Sequence, residues 1–377
     1  MSKKILFIMH YPPPVHGAAM VGKYIKDSAL INADFKTKYI NLGISQKVGE
    51  SGKRKWRKIV RYLNVIVASF KQLFLFNPNL VYITLTSSGM GFYKDAFIVL
   101  LAKLFGKKVV FHFHNKGVRK AQGRFFDDWL YRIIFKDSEV ILLSLHLYPD
   151  VEKYVSIENI HICQNGIPEM APETVIPETQ LNGPAQILFL SNLLKSKGVF
   201  ELLEACQILK ERGIPFHCTF IGDTGDIDAE LFKYTLQEMN VQDRVAYVGC
   251  KYGEDKNRAY READVFVLYT HDDCFPLVLL EAMQHSLPVI TTAEGGIPDI
   301  VEDGKSGYLV SKNNVSELAQ KLEEVITNRT LQQSMGANAR LRYESRYTLQ
   351  AFEDRLYEIL CQLVSKNEEH VSSVKKV

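Results

Sequence analysis

The sequence predicts an α/β protein of two doubly wound domains. Three observations carry that prediction: short apolar runs alternating with helix-length segments, a proline-rich break near the middle, and a restart of the same alternation beyond it. A chain of 377 residues is too long for one ordinary core and suits two such domains.

In the first half, apolar runs at Ile5–Met9, Leu80–Thr86, Lys108–His114, Val140–Ser144 and Asn159–Cys163 read as buried parallel strands. Helical segments fall between them near 20–30, 57–76, 93–105 and 124–135. Residues 168–184, PEMAPETVIPETQLNGP, have no apolar periodicity and read as a linker. Strands then resume at Ile187–Ser191, Phe216–Gly222, Val245–Val248, Val265–Tyr269, Pro288–Thr292 and Tyr308–Val310. Helices are expected at 198–212, 228–239, 254–262 and 314–327, with a last one near Leu349–Val364. The expected domains are 1–168 and 185–348, joined by 169–184, with the helix at about 349–377 packing back on the first. Two such domains make a cleft, and ligands bind at the carboxyl ends of parallel strands.

Composition narrows the class. The six cysteines form no CxxC pair, which argues against a zinc ribbon or disulfide framework and fits a reducing cytosol. The apolar run in MSKKILFIMHYPPP is too short for a signal peptide and reads as a first strand. The net charge of +3 hides an asymmetry: residues 1–168 carry 25 Lys+Arg against 11 Asp+Glu, and residues 169–377 carry 21 against 32. A basic first half suits a polyanion: nucleic acid, an anionic membrane or a phosphorylated lipid.

The stretch DCFPLVLLE places two carboxylates, Asp273 and Glu281, eight residues apart around a loop-to-helix junction. Pro276 fits the first turn of a helix, which puts Asp273 in the loop and Glu281 in the second turn. Backbone N–H groups at 275–278, including those of Phe275, Leu277 and Val278, would then favour a phosphate. Glu294-Gly295-Gly296-Ile297-Pro298 repeats the device after the next strand. Singly, Asp273 reads as a helix cap and Gly295-Gly296 as a turn; together they read as a nucleotide-sugar site.

With its continuation to Val310, this stretch resembles retaining GT-B glycosyltransferases of family 4. Their hallmark is Glu, seven residues, Glu, followed by a GGxPEIV segment; here the match is DCFPLVLLEAMQHSLPVITT and GGIPDIVEDGKSGYLV, with Asp273 in place of the first Glu. The resemblance implies the GT-B fold, with Asp273 holding hydroxyls of the transferred sugar and Glu281 holding the ribose. It also implies a UDP-sugar donor and no metal on the diphosphate.

SNLLKSKG at 191–198 resembles the family's GRLxxxKG, whose Arg and Lys neutralise the diphosphate. Lys197 matches the Lys, whereas Asn192 stands at the Arg position, a departure that removes a bidentate cation. Lys195 is a substitute candidate. PPPVHGAAMVG carries a single glycine, Gly17 beside His16, where the family often has a pair against the diphosphate. The dinucleotide fingerprint GxGxxG is missing, which disfavours a dehydrogenase.

His112 and His114 share a strand face. Without a nearby HxxxH or cysteine pair, a metal is disfavoured. By resemblance His114 lies close to the transferred sugar, while His112 reads as an orienting or core residue. Asp127-Asp128 reads as a solvated helical pair.

Residues 53–76, KRKWRKIVRYLNVIVASFKQLFLF, begin with six cations in nine residues. Asn64, Lys71 and Gln72 interrupt the apolar part, which reads against a transmembrane span. Lys53–Tyr62 reads either as an anionic-membrane docking helix or as a helix packed on the sheet with a solvated basic end. Nucleic acid is disfavoured, since no binding module is present.

With the resemblance, the sequence predicts a cytoplasmic hexosyltransferase, peripheral on the inner face of the membrane if Lys53–Tyr62 is the docking helix. It would move a sugar, with retention, from a nucleotide-diphosphate donor to a glycan or lipid-diphosphate-linked acceptor. His114, Asp273 and Lys197 would act in the chemistry. Gly17, Asn192, Lys197, Phe275, Leu277, Val278, Glu281, Gly295 and Gly296 would bind the donor. No cofactor is expected besides that substrate. An epimerase of the same architecture and a non-catalytic nucleotide-sugar binder are the competing readings.

Overall fold

A computed structural model describes residues 3–13, 15–43, 55–170 and 183–374. Most of the expected linker, and Lys53 and Arg54 of the basic segment, lie outside the described residues. The chain divides into two compact units, Met1–Gly166 with Leu349–Val377, and Ile167–Thr348.

The first unit holds β1 (Lys4–Met9), α1 (Gly17–Asp27), α2 (Ala29–Asp34), β2 (Lys36–Asn41), α3 (Lys55–Lys71), β3 (Leu80–Ile83) and α4 (Gly89–Leu104). There follow β4 (Lys108–His112), α5 (Val118–Ala121), α6 (Phe125–Phe135), β5 (Glu139–Leu142) and β6 (Ile160–Ile162). The six strands are parallel in the order β2-β1-β3-β4-β5-β6. Ile5 to Met9 and Val81 to Ile83 are fully buried, as strands covered on both faces require. The β2→β3, β3→β4 and β4→β5 crossovers run the same way along the sheet. Right-handed connections therefore lay α3, α4 and α6 on one face, opposite α1. A π-helical turn, Gln72–Phe76, extends α3.

The second unit holds β7 (Ala185–Leu190), α7 (Val199–Glu211), β8 (Phe216–Ile221), α8 (Ala229–Glu238), β9 (Val245–Tyr247), α9 (Gly253–Glu262) and β10 (Val265–Leu268). After these come α10 (Leu277–Gln284), β11 (Val289–Thr292), α11 (Ile297–Ile300), β12 (Gly307–Val310), α12 (Val315–Thr327) and α13 (Arg329–Arg346). Its parallel order is β12-β11-β10-β7-β8-β9. There follows α14 (Leu349–Val374), which belongs to the first unit and whose Tyr357 hydroxyl donates to Asp34 at 2.8 Å.

The doubly wound prediction holds for both sheets. Several elements escape it, among them the short α2 and α5 as well as β2 and α13. β2 is an edge strand of sequence KTKYIN whose exposed residues carry no apolar run. α13 is mostly polar, and only Gln332, Met335, Gly336, Ala339 and Tyr343 turn inward. Asp127 corrects the solvated reading of its pair. It is buried and accepts a 2.5 Å hydrogen bond from Tyr93, while Asp128 is held by Arg132, Lys153 and Tyr154.

Candidate functional site

In the second sheet the winding reverses between β7 and β10, and the strand ends there are the natural ligand position of such a fold. Beyond β7, the Asn192 Oδ1 accepts from the Asp223 N–H at 3.3 Å, tying the β7 and β8 loops together. Asn192 therefore serves as a loop latch, and its position carries no positive charge. A 3₁₀ turn, Lys195–Lys197, leads to Gly198 in the left-handed region at φ +76°. A Cβ there would lie 1.9 Å from the Tyr269 carbonyl oxygen, so only glycine lets this turn press on the end of β10. The Ser196 carbonyl accepts from the His271 N–H at 2.8 Å and completes the seam.

That seam delivers Lys197 to the loop after β10. Its Nζ lies 2.5 Å from Asp273 Oδ2 and donates to the Asp272 carbonyl at 3.1 Å. The other oxygen, Oδ1, accepts from the Cys274 N–H at 3.0 Å. A carboxylate offers about four lone-pair sites, so Asp273 retains acceptor capacity after these two bonds. Lys195 is exposed, and its N–H is bonded to Asp226.

The glycine pair supports the same loop. Gly296 N–H donates to the Cys274 carbonyl at 2.7 Å, and Gly295 sits at φ +54° with its Cα against the Asp273 carbonyl. A Cβ on Gly295 would fall 2.3 Å from that oxygen. Gly295→Ala is expected to destabilise the protein by about 1–2 kcal/mol from the left-handed backbone alone, with the clash added. Chemical denaturation checks this; an unchanged midpoint would show that the loop yields freely.

Pro276 corrects one expectation: it is the N-cap of α10, with extended ψ, and the helix starts at Leu277. The N–H groups of Leu277 and Val278 head that helix, where no intrahelical carbonyl precedes them. Phe275 turns its ring into the core against Tyr347, so only its backbone is available to a ligand. Glu281 lies in the second turn, as its spacing predicts. Its Oε1 pairs with Lys256 Nζ and its Oε2 accepts from Tyr260 OH, both at 2.8 Å. Burial, then the Glu281 charge, raises the Tyr260 phenol well above its ordinary value, so it remains a proton donor. Each carboxylate thus has its own cation, Lys197 for Asp273 and Lys256 for Glu281. Buried Glu294 likewise pairs with Lys312.

Lys256, Tyr260 and Lys312 escape the sequence reading. The first two stand four apart on α9, one helical turn, but only folding shows that they face Glu281.

In the first unit, histidines gather at the strand ends. His16 caps α1, its Nδ1 accepting from Ala19 N–H at 3.3 Å. A Cβ on Gly17 would meet nothing within 4 Å, so packing does not demand that glycine; Gly22 is the tight one, pressed on the His10 carbonyl. His112 is fully buried and bonded through Nδ1 to the Tyr82 hydroxyl. Its ring lies 4.2 Å from half-buried His114, and the Nε2 of each is buried without a partner among the described residues. Burial, then the neighbouring imidazoles, pushes His10 down to about 4 and His114 down to about 3, and His112 well below its usual range.

These rings are therefore neutral hydrogen-bonding groups at neutral pH. Their C2-proton resonances should not titrate between about pH 8 and pH 5. Midpoints near 6.5 would contradict that environment. The sign for stability follows. Depressed histidine pKa values mean that the unfolded chain binds more protons below about pH 6.5, so stability from these groups is lost as pH falls. Asp95, raised to about 6 by burial, opposes this with a single proton.

Among the described residues, no group of three or more His, Cys, Asp or Glu is arranged to hold a metal ion.

Residues 173–342 match the family model described as glycosyl transferases group 1. The chain is 32% identical over 199 residues to the amylovoran biosynthesis glycosyltransferase AmsK of Erwinia amylovora, covering 50% of this chain and 48% of that protein. It is 30% identical over 179 residues to the capsular polysaccharide biosynthesis glycosyltransferase CapM of Staphylococcus aureus, covering 47% and 46%. The matched region thus spans about half the length of these curated relatives. Among solved structures, sucrose-phosphate synthase from Thermosynechococcus elongatus superposes with a TM-score of 0.75 at 18% identity, covering 97% of this chain and 100% of that one. Anabaena HepE, crystallised with UDP and glucose, gives 0.69 at 17% identity, covering 95% and 99%. These likenesses establish the GT-B type of fold.

Proposed function

We propose, from the match of residues 173–342 to the glycosyl transferases group 1 model, that the protein transfers a sugar from a nucleotide-diphosphate donor to a glycan or lipid-linked acceptor in surface-polysaccharide synthesis. The observation that carries this reading is the convergence at the β7/β10 switch point. There the Lys197–Asp273 pair lies against the loop that leads to the N–H groups heading α10, and Glu281 is one turn further on.

In this reading Glu281 accepts from the ribose hydroxyls. The N–H groups of Leu277, Val278 and Gly296, with Lys197, take the diphosphate. Asp273 uses its remaining lone pairs on hydroxyls of the transferred sugar. The bond from the sugar C1 to the diphosphate oxygen breaks, and a bond from C1 to the acceptor oxygen forms on the same face. The acceptor proton passes to the departing phosphate. Lys197 offsets the charge developing there, and the reading includes no metal. UDP is the favoured carrier, supported by the UDP found with Anabaena HepE. On the first unit, His114 and Gly17 are assigned to the sugar and diphosphate ends of the donor. The protein would work in the cytoplasm, peripheral to the inner face of the membrane, with Lys53–Tyr62 against anionic lipid.

A second reading, a binder that has lost its chemistry, is favoured by one observation: Asn192 is spent on a backbone latch where the family carries a cation. A thermal-shift screen against nucleotide sugars, followed by single-turnover transfer with the stabilising donor, separates the two. A stabilising donor with no transfer supports the binder; no stabilising donor contradicts both.

A further inference from the structure

The first unit has a face that is apolar on the wrong side. Along α3, Trp56, Leu63, Val67 and Phe70, with Phe74 in the π-helical turn, recur at alternating spacings of three, four or seven, and each is more than half exposed. The inner side of the same helix mixes polar with apolar residues: Tyr62 OH donates to the Lys94 carbonyl of α4 at 2.9 Å, and Ser69 and Leu73 are buried. A helix that packed only to complete a core would show the reverse pattern.

The neighbouring helices repeat this. Met90, Phe97 and Leu104 lie seven apart on α4, forming one exposed stripe, and Phe125, Phe126 and Trp129 are exposed on α6. The three helices lie side by side on one face of the sheet. Phe70 meets Phe105 edge-on at 5.5 Å, and Tyr93 meets Phe126 at 5.8 Å. Both tryptophans of the chain, Trp56 and Trp129, stand on this surface.

Residues Lys58–Phe76 are long and apolar enough to cross a membrane, with a mean hydropathy of 1.4 and only 11% of that window buried. The bonds of α3 to α4 would have to break for it to do so. Its geometry suits a helix lying along a bilayer surface.

Charge selects between a bilayer and a second copy of this chain. The three helices carry three acidic residues, none of them free: Asp95 and Asp127 are buried, and Asp128 is paired. Lys71 on α3 and Arg124, the N-cap of α6, are exposed. A twofold interface would set this cationic surface against itself, whereas an anionic bilayer compensates it and accepts the apolar stripes.

We propose that α3, α4 and α6 form an interfacial seat on an anionic bilayer, with apolar insertion by all three helices and both tryptophans at the headgroup–acyl boundary. This deepens the membrane side of the proposed function and rests on that reading for the lipid-linked acceptor. The seat itself is testable without donor or acceptor.

The test uses the full chain with phosphatidylcholine–phosphatidylglycerol vesicles, some carrying lipids brominated high on the acyl chain. Trp129→Phe leaves Trp56 as reporter, and Trp56→Phe leaves Trp129. The expected results are a blue shift and bromine quenching in both variants, with binding retained at about 1 M salt, where the Debye length falls to about 3 Å. Leu63→Glu and Val67→Glu should each weaken partitioning by about tenfold or more. Calorimetric nucleotide binding should stay unchanged, so failure of the seat and failure of the donor site are distinguishable. Quenching of Trp56 alone would overturn the three-helix seat. Binding abolished by salt would overturn insertion. A concentration-dependent dimer that Val67→Glu dissolves, with no vesicle binding, would assign the face to a second copy.

Discussion

Replacing Glu281 by alanine should weaken nucleotide-sugar binding by about 100-fold to 10,000-fold. Two hydrogen bonds from ribose hydroxyls to a carboxylate are lost, each worth about 1.5–3 kcal/mol, and each 1.4 kcal/mol is tenfold in affinity. The free protein also changes. Lys256 loses its partner, and the buried Tyr260 hydroxyl keeps only a 3.4 Å contact with the Val278 carbonyl. Stability should therefore fall by about 1–3 kcal/mol. Glu281→Gln preserves the shape and an acceptor oxygen, and should lose much less binding than alanine. Calorimetric titration at a temperature where all three proteins are folded checks the series. Equal affinity for alanine and wild type would remove Glu281 from the donor site.

Lys197→Ala should lower kcat/KM by about 100-fold to 1,000-fold, because it removes the donor aimed at charge that develops on the leaving diphosphate. The effect should be larger than in a relative that keeps both cations of the pattern, since Asn192 supplies none here. It should fall mainly on kcat, with the nucleotide affinity changed less, which a merely structural lysine would not produce. Unbound, Asp273 would lose its 2.5 Å partner but keep the Cys274 N–H, so the loop retains one anchor. A variant with unchanged kcat would refute the clamp.

Much of this was legible in the sequence, for identifiable reasons. Strands such as Val265–Leu268 are buried on both faces, so an unbroken apolar run announces them. Glu281 and the glycine pair were visible because helix starts, carboxylates and turns have fixed local spacings. The edge strand β2 and the polar helix α13 were hidden, since neither buries enough apolar surface to leave a periodic trace. Partners were hidden for another reason. Lys197 meets Asp273 across 76 residues and Lys256 meets Glu281 across 25, and no local pattern encodes such pairings. Gly198 looks like any helix-start glycine until the Tyr269 carbonyl is seen against it. The outward facing of the apolar stripe of α3 was hidden, because periodicity alone does not say which side of a helix meets the sheet. Asn64 and Lys71 flank the stripe, and Gln72 turns toward the packed side.

The central claim is that the β7/β10 switch point binds a nucleoside diphosphate through Glu281. Titration of the full chain with UDP, GDP, ADP and dTDP, on wild type and on Glu281→Ala, tests it most directly. The prediction is saturable binding of at least one of them, UDP foremost, to wild type and its loss in the variant. No binding by folded wild type, or binding that Glu281→Ala leaves intact, would contradict the account.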